Sequence, residues 1–188
     1  MAIEIEIKLK VEDHEQVRRR LLDLGATRAG ETFETNLFFD TAGQTLRRSD
    51  RGLRIRVNHD PQSGSDTYVV TYKGPRASGA VKSREELEIC VDHLNCAVAL
   101  FERLGYTQTL KFEKRRETWR LDRCTVVLDQ LPQLGCFVEV EGPSQEVVLE
   151  ARDQIGLSAA QTMTASYAEM ISQHLDKETP NLTTLAFS

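Results

Sequence analysis

"MAIEIEIKLK" (residues 1–10) places Glu4, Glu6, Lys8 and Lys10 on alternate positions, with Ile3, Ile5, Ile7 and Leu9 between them. A period of two is that of a β-strand, whose successive side chains leave opposite faces of the sheet. The stretch therefore poses a question of orientation. In a half-buried strand the aliphatic row faces the core and the charged row faces water. In a barrel whose aliphatic rows pack outward under helices, the charged row lines the lumen. One strand cannot choose between these, but recurrence of the pattern can.

It recurs. "LRIR" (53–56) puts Arg54 and Arg56 on one face, and "REELE" (84–88) does the same for Arg84, Glu86 and Glu88. Lys82 shares their parity but lies further from the motif. "EKRRETW" (113–119) joins Lys114 and Arg116, with Arg115 opposite. "VLDQL" (127–131) offers Asp129, and "FVEVE" (137–141) joins Glu139 and Glu141. Lys73 closes "TYK" before a Gly-Pro turn. The signs are sorted along the chain, Glu-x-Glu in the first and last strands and Arg/Lys pairs between. A solvated surface needs no such sorting.

The remaining segments fill in an α+β order of many antiparallel strands and a few helices. "EDHEQVRRRLLDLG" (12–25) reads as a helix, with Val17, Leu21 and Leu24 on one face and Gly25 as its C-terminal stop. Strands follow over 27–41, 51–58 and 65–74, the last two joined by the turn "HDPQSGS", and another over 81–91. A helix over 93–105 precedes strands at 106–122, 123–131 and 136–142. Helices at 144–156 and 163–175 complete a single domain, residues 1–175. Residues 176–188 read as a loosely ordered tail.

Bulk properties exclude several classes. With 188 residues and a net charge of −5, the chain has the size of one ordinary domain and lacks the basic surplus of a general nucleic-acid binder. No run is apolar for long enough to span a bilayer, and the opening residues read as a charged strand rather than a signal peptide. The four cysteines (Cys90, Cys96, Cys124, Cys136) form no C-x-x-C pair. They read as free, mostly buried thiols of a cytoplasmic protein rather than as zinc ligands.

A lumen carrying this row of cations is costly when empty. Two like charges ~4 Å apart repel by about 4 kcal/mol at an effective dielectric of ~20. Carboxylates clustered in pairs repel one another as well. A divalent metal on the acids and a polyphosphate on the bases would relieve both, and Mg²⁺ or Mn²⁺ prefers hard oxygen ligands and bridges to phosphate.

These residues carry a resemblance. E-x-E-x-K (Glu4 to Lys8), "FFDT", "LRIR", "YKGP", "REELE", "KRRETW", "LDQLPQLGCFVEVEG" and "SYAEM" occur in order over roughly Met1 to Leu175. The chain resembles the CYTH superfamily, the triphosphate tunnel metalloenzymes, which include class IV adenylate cyclases and thiamine triphosphatases. The resemblance implies an antiparallel eight-stranded barrel with flanking helices and a closed tunnel. It implies that Glu4, Glu6, Glu139 and Glu141 hold Mg²⁺ or Mn²⁺, with Asp129, Glu86 and Glu88 as further metal-side or water-orienting carboxylates. Lys8, Arg54, Arg56, Lys73, Arg84, Lys114 and Arg116 would bind a small-molecule triphosphate, with Glu4, Glu6, Lys8, Glu88 and Asp129 closest to the chemistry. Guanidinium forks suit phosphate oxygens.

Other readings accompany these. Arg84 and Glu88 could pair with each other, Lys10 reads as a solvated strand end, and Arg47, Arg48 and Arg51 lie in a loop that could meet an anion. Trp119 and Tyr72 read as packing more readily than as stacking platforms. Hydrolysis of inorganic tripolyphosphate, thiamine triphosphate or a nucleoside triphosphate is the expected reaction. Cyclisation of ATP to cyclic AMP and pyrophosphate is the first alternative, and a non-enzymatic polyphosphate-binding module the second. Neither nucleic acid nor membrane is expected as a partner, and monomer and homodimer both fit.

Overall fold

The computed structural model describes residues 2–77, 82–179 and 182–187, with side chains described over 5–76, 84–179 and 182–187. In chain order the elements are β1 (Ala2–Val11), α1 (Glu15–Asp23), β2 (Thr27–Asp40), α2 (Thr45–Arg48), β3 (Gly52–His59), β4 (Asp66–Ala77) and β5 (Lys82–Val91). Next come α3 (Leu94–Arg103), β6 (Thr107–Leu121), β7 (Cys124–Leu131), β8 (Gly135–Glu141), α4 (Gln145–Gln154), α5 (Tyr167–Glu178) and β9 (Thr184–Leu185).

Hydrogen-bonded neighbours run β2-β3-β4-β5-β1-β8-β7-β6, and β6 pairs back onto β2, so eight antiparallel strands close a ring. Closure removes the unpaired edges that an open sheet would expose. β1 sits between β5 and β8, with Glu6 opposite Glu141 and Lys8 opposite Glu139.

Both rows of β1 are buried, which answers the orientation question. Ile7 and Leu9 face outward into a core with Val126, Leu128, Val138, Val140, Trp119 and Leu121. Val17 and Leu21 of α1 and Val148 and Ala151 of α4 cover that core, and Ile5 packs at its margin. The charged row faces inward, with Glu6 at 7% and Lys8 at 3% exposure. Val126 and Val138 lie in the same shell, while the side chain of Ile3 is outside the described residues. A second outer core, Phe39, Ile55, Ala97 and Phe101, lies under α3.

The third core was not foreseen. Leu110, Phe112, Leu131 and Phe137 have the same strand parity as Lys114, Asp129 and Glu139, so they belong to the inner face. They pack against Tyr167, Ile171 and Leu175 of α5 and against Leu185 of β9. The inner wall is thus charged in one layer and apolar in the next, and α5 stands across the apolar end.

Other local expectations are corrected or filled in. Gly25 takes φ +74 after α1, a left-handed position that glycine occupies without strain. Ser166 and Glu169 form a reciprocal capping box at the start of α5. The "LRRSDRG" loop contains α2, because the Asp40 carboxylate accepts from the backbone N–H groups of Leu46 (3.0 Å) and Arg47 (2.9 Å). The tail is not loose throughout. β9 pairs in parallel with β6, and Phe187 packs at a tilt against Phe33 with the Arg115 guanidinium over its ring. All four cysteines are free, but Cys90 and Cys96 are exposed rather than buried.

Candidate active site

Seven of the eight barrel strands, β1 to β6 and β8, line a common cavity of 370 Å³. Lys8, Arg54, Arg56, Lys73, Arg84, Lys114 and Arg116 all line it, together with Glu6, Glu139 and Glu141. Two buried carboxylates organise the cations. Asp129, fully buried on β7, accepts from the Nε (2.7 Å) and one arm (2.6 Å) of Arg116, the Lys114 ammonium (3.3 Å) and the Tyr167 hydroxyl (2.9 Å). Glu34 on β2 meets Arg56 and Lys114, each at 3.2 Å, and Arg116 at 3.6 Å.

The electrostatics follow from this arrangement. Burial alone would raise the Glu34 carboxyl, but Arg56, Lys114, Arg116 and Arg54 overcome it and hold that group well below the usual carboxylate range. Burial and then repulsion from Arg116 lower Lys114, with Asp129 and Glu34 offsetting part of the effect. Burial raises the Tyr167 hydroxyl, and the nearby Asp129 and Glu139 charges push it further in the same direction. Burial and the neighbouring Arg56 push Arg54 down to about 10. Arg54 donates to the Thr71 hydroxyl (2.9 Å), yet its Nε is a buried nitrogen with no hydrogen-bond partner among the described residues. A buried donor left unpaired costs about 1–3 kcal/mol, so it marks a place for an acceptor.

Beside the cations, Glu6, Glu139 and Glu141 each bring a carboxylate oxygen within 4.8 Å of the others. Glu139 also pairs with Lys8 (3.2 Å) and Arg116 (2.6 Å), so it joins the acidic group to the basic one. Three converging hard oxygens are a donor set that fits Mg²⁺ or Mn²⁺.

Other expected site residues lie apart from this trio. Asp129 is enclosed by cations, Glu86 pairs with Lys73, and Glu88 accepts from Thr71 (2.8 Å) and Arg54 (3.5 Å) with half of its side chain exposed. Glu4 lies in register with Arg84, and its side chain is outside the described residues, as is that of Lys82. Arg84 and Glu88 turn to different partners, Arg84 donating to the carbonyls of Gly74 (2.9 Å) and Asp50 (3.1 Å). Lys10 is not a solvated end. It donates to the Leu134 carbonyl and lies 4.1 Å from the centre of the Phe137 ring, where burial lowers its pKa. Trp119 packs in the outer core and donates to Glu117 (2.9 Å), while Tyr72 sits opposite Leu87, one position off the parity of Lys73. Arg47 and Arg51 reach the cavity mouth.

Sequence reading missed Glu34, Asn36, Tyr167 and Arg76. Glu34 and Asn36 follow the same alternation as the rest, in "FETNLFFD", but a single acid among strand residues drew no notice. Tyr167 belongs to the "SYAEM" block without a role having been read for it. It lies beneath Lys8, whose ammonium is 3.8 Å from the ring centre. Arg76 has the wrong parity for the lumen. A register shift between Lys73 and Arg76, at Gly74-Pro75, turns it inward beside Arg84.

Comparison with known proteins agrees with this architecture. Residues 2–167 match the CYTH domain family. A Methanocaldococcus jannaschii protein named "Putative adenylate cyclase" is 27% identical over 177 residues, covering 89% of this chain and 98% of that one. The structure of a similarly named Vibrio parahaemolyticus protein superposes with a TM-score of 0.80 at 23% identity, over 90% and 98% of the two chains. HpAC1 from Hippeastrum, described as an adenylyl cyclase homologue with a dominant triphosphatase activity, superposes at 0.69 and 22% identity, over 93% and 96%. With the family match running from the first strand to the start of α5, the chain belongs to the CYTH domain family.

Proposed function

We propose that the protein is a divalent-metal-dependent enzyme acting on the triphosphate group of a small molecule, and that it hydrolyses that group. The observation that carries this reading is the meeting, in one cavity, of a carboxylate trio and a row of buried cations joined through Glu139. A binding module would need the bases without the converging acids.

Lys8, Arg54, Arg56, Lys114 and Arg116 would hold the phosphate oxygens, with Lys73 and Arg84 nearer the β4–β5 end. Guanidinium forks fix the orientation of the chain, and their positive charge stabilises the charge that develops on the phosphoryl oxygens during transfer. Asp129 and Glu34 keep Arg56, Lys114 and Arg116 fixed before substrate arrives, which is the condition for charge stabilisation without reorganisation. Glu6, Glu139 and Glu141, with Glu4 by sequence, would hold Mg²⁺ or Mn²⁺, which supplies charge neutralisation at phosphate and activates water when bound. Glu86 and Glu88 would tune the neighbouring cations Lys73 and Arg54.

Cyclisation of ATP is the second reading, favoured by the names of the relatives. It would use the same phosphate-binding residues and would ask in addition for a group that fixes the base and aims the ribose 3′-hydroxyl at the α-phosphorus. Product analysis separates the two. With Mg²⁺ or Mn²⁺ and tripolyphosphate, thiamine triphosphate or ATP, hydrolysis releases orthophosphate. Stoichiometric cyclic AMP and pyrophosphate from ATP, with no orthophosphate from any of the three, would establish the cyclase. Activity that survives exhaustive chelation would overturn the metal-dependent reading in both forms.

A further inference from the structure

The cations that face the cavity are hard to reach in this conformation. Lys114 retains 2% of its exposure and Arg54 7%, beneath α2, α5 and the ends of β4 and β5. Those elements line the cavity on one side. One guanidinium spans the seam between the α2 segment and α5. Arg76 donates to Asp50, just after α2, through its backbone N–H (2.8 Å), its Nε (3.1 Å) and one arm (2.7 Å). Both arms also grip the Glu169 carboxylate of α5, at 3.0 and 2.8 Å.

We propose that Arg76 is a positioning residue, the latch of a flap over residues 41–51 that opens to admit the substrate. The proposal rests on the triphosphate reading above for the identity of what passes. Three observations support it. The latch is within reach of solvent and of an arriving anion, because Arg76, Asp50 and Glu169 are all about one third exposed. The flap has built-in bends, since Gln44 and Asp50 flank α2 with φ of 54° and 53°, left-handed positions that are uncommon outside glycine. The latch also answers to the right ligand. Phosphate competes with carboxylate for a guanidinium fork on equal geometric terms, so an arriving polyanion that has met Arg47 and Arg51 at the mouth can draw Arg76 from its partners. Asp40, which holds the N–H groups of α2, keeps the short helix intact while its far end is released.

The test uses the full chain without added metal. Arg76→Ala and Glu169→Gln are compared with the parent by amide hydrogen exchange. Gln still serves the capping box at that position, so the second variant keeps α5 intact if the first fails to fold. Exchange in peptides over 41–51 and 166–172 should quicken at least tenfold in both variants, with the barrel strands unchanged. Stopped-flow binding of a fluorescent N-methylanthraniloyl ATP should then show a rate that saturates with concentration in the parent, at the opening rate. Arg76→Ala should raise that plateau about tenfold, and Arg76→Lys, which keeps the charge but not the fork, should fall between. Unchanged exchange over 41–51, or exchange that rises evenly across the whole chain, overturns the latch. Identical rates, linear in concentration, overturn it too. Failure of every variant and the parent to bind either the nucleotide or tripolyphosphate, with and without Mg²⁺, overturns the triphosphate reading instead, and the exchange result then decides the latch alone.

Discussion

Asp129 and Glu141 are carboxylates on the inner faces of adjacent strands, and their surroundings give them opposite work. Asp129 is fully buried and surrounded by donors: the Nε and one arm of Arg116, the Lys114 ammonium and the Tyr167 hydroxyl. Glu141 converges with two other acids, Glu6 and Glu139, within 4.8 Å. One carboxylate fixes the cations and contributes to the fold. The other belongs to a group whose mutual repulsion, about 3–4 kcal/mol per pair at that spacing and an effective dielectric of ~20, a divalent cation would relieve under the proposed function. Charge alone does not assign a role in this lumen. The neighbours do.

The largest expected effect breaks the first half of that contrast. Asp129→Ala leaves Arg116 and Lys114 buried with less compensation, a change that costs about 3–5 kcal/mol of stability. Thermal unfolding should shift down by roughly 6–20 °C for a chain of this size. A melting point within a degree or two of the parent would mean that Asp129 is not a structural anchor. Glu141→Gln should behave in the reverse way. Turnover should fall ~10²–10³-fold, the scale on which one preorganised charge-stabilising group acts, while the melting point stays level or rises because a crowded charge is gone. A Gln variant that unfolds early yet retains its turnover would erase the distinction between the two carboxylates.

Arg54→Ala tests the cation side of the comparison. With an Nε that has no partner among the described residues, Arg54 has donor capacity in reserve for substrate, unlike the fork of Arg116. Its loss should reduce kcat/KM by the equivalent of about 2–4 kcal/mol. Stability should change little, because repulsion from Arg56 is relieved at the same time. A large drop in melting point with kcat/KM unchanged would show Arg54 to be structural.

The same contrast explains what was legible in the sequence. The strands and most of the lumen-facing charges followed from period-two alternation, because a pleat fixes which face each residue takes, and the eight-stranded barrel followed from the family resemblance. What the pattern could not supply was the partner across the lumen. Asp129 read as metal-side because acids and metals go together, yet β6 places Arg116 and Lys114 against it. Lys10 read as solvated by its position at a strand end, yet β8 brings Phe137 beneath it. Arg76 was hidden by a register shift, since one extra residue reverses the parity on which the reading rests. The apolar inner layer was overlooked for a related reason. Phe112 and Phe137 continue charged columns, and only the position of α5 shows that they face inward with them.

The smallest effect concerns Glu34, which sits with Asp129 on the structural side. Four cations hold its folded-state pKa well below the ordinary value of 4.5 in spite of burial. The unfolded chain therefore binds a proton at Glu34 where the folded chain does not, once the pH falls below about 5. A depressed folded pKa means stability that is fully present above the unfolded pKa and is lost as pH falls toward the folded one. The Glu34 contribution should accordingly be complete at neutral pH and decline progressively below pH 4.5, with a slope of at most about 1.4 kcal/mol per pH unit for its single proton. Asp50, Glu117 and Glu169 also have lowered pKa values and add to the acid slope, so the parent should be steeper than Glu34 alone requires. Glu34→Gln cannot titrate. Its absolute stability should be lower at neutral pH, because Arg56, Lys114 and Arg116 lose a partner, but the loss of stability between pH 5 and pH 3 should be shallower by up to one proton. Urea denaturation at a series of pH values measures that slope directly. Equal slopes in the two proteins would mean that the four cations do not hold Glu34 ionised.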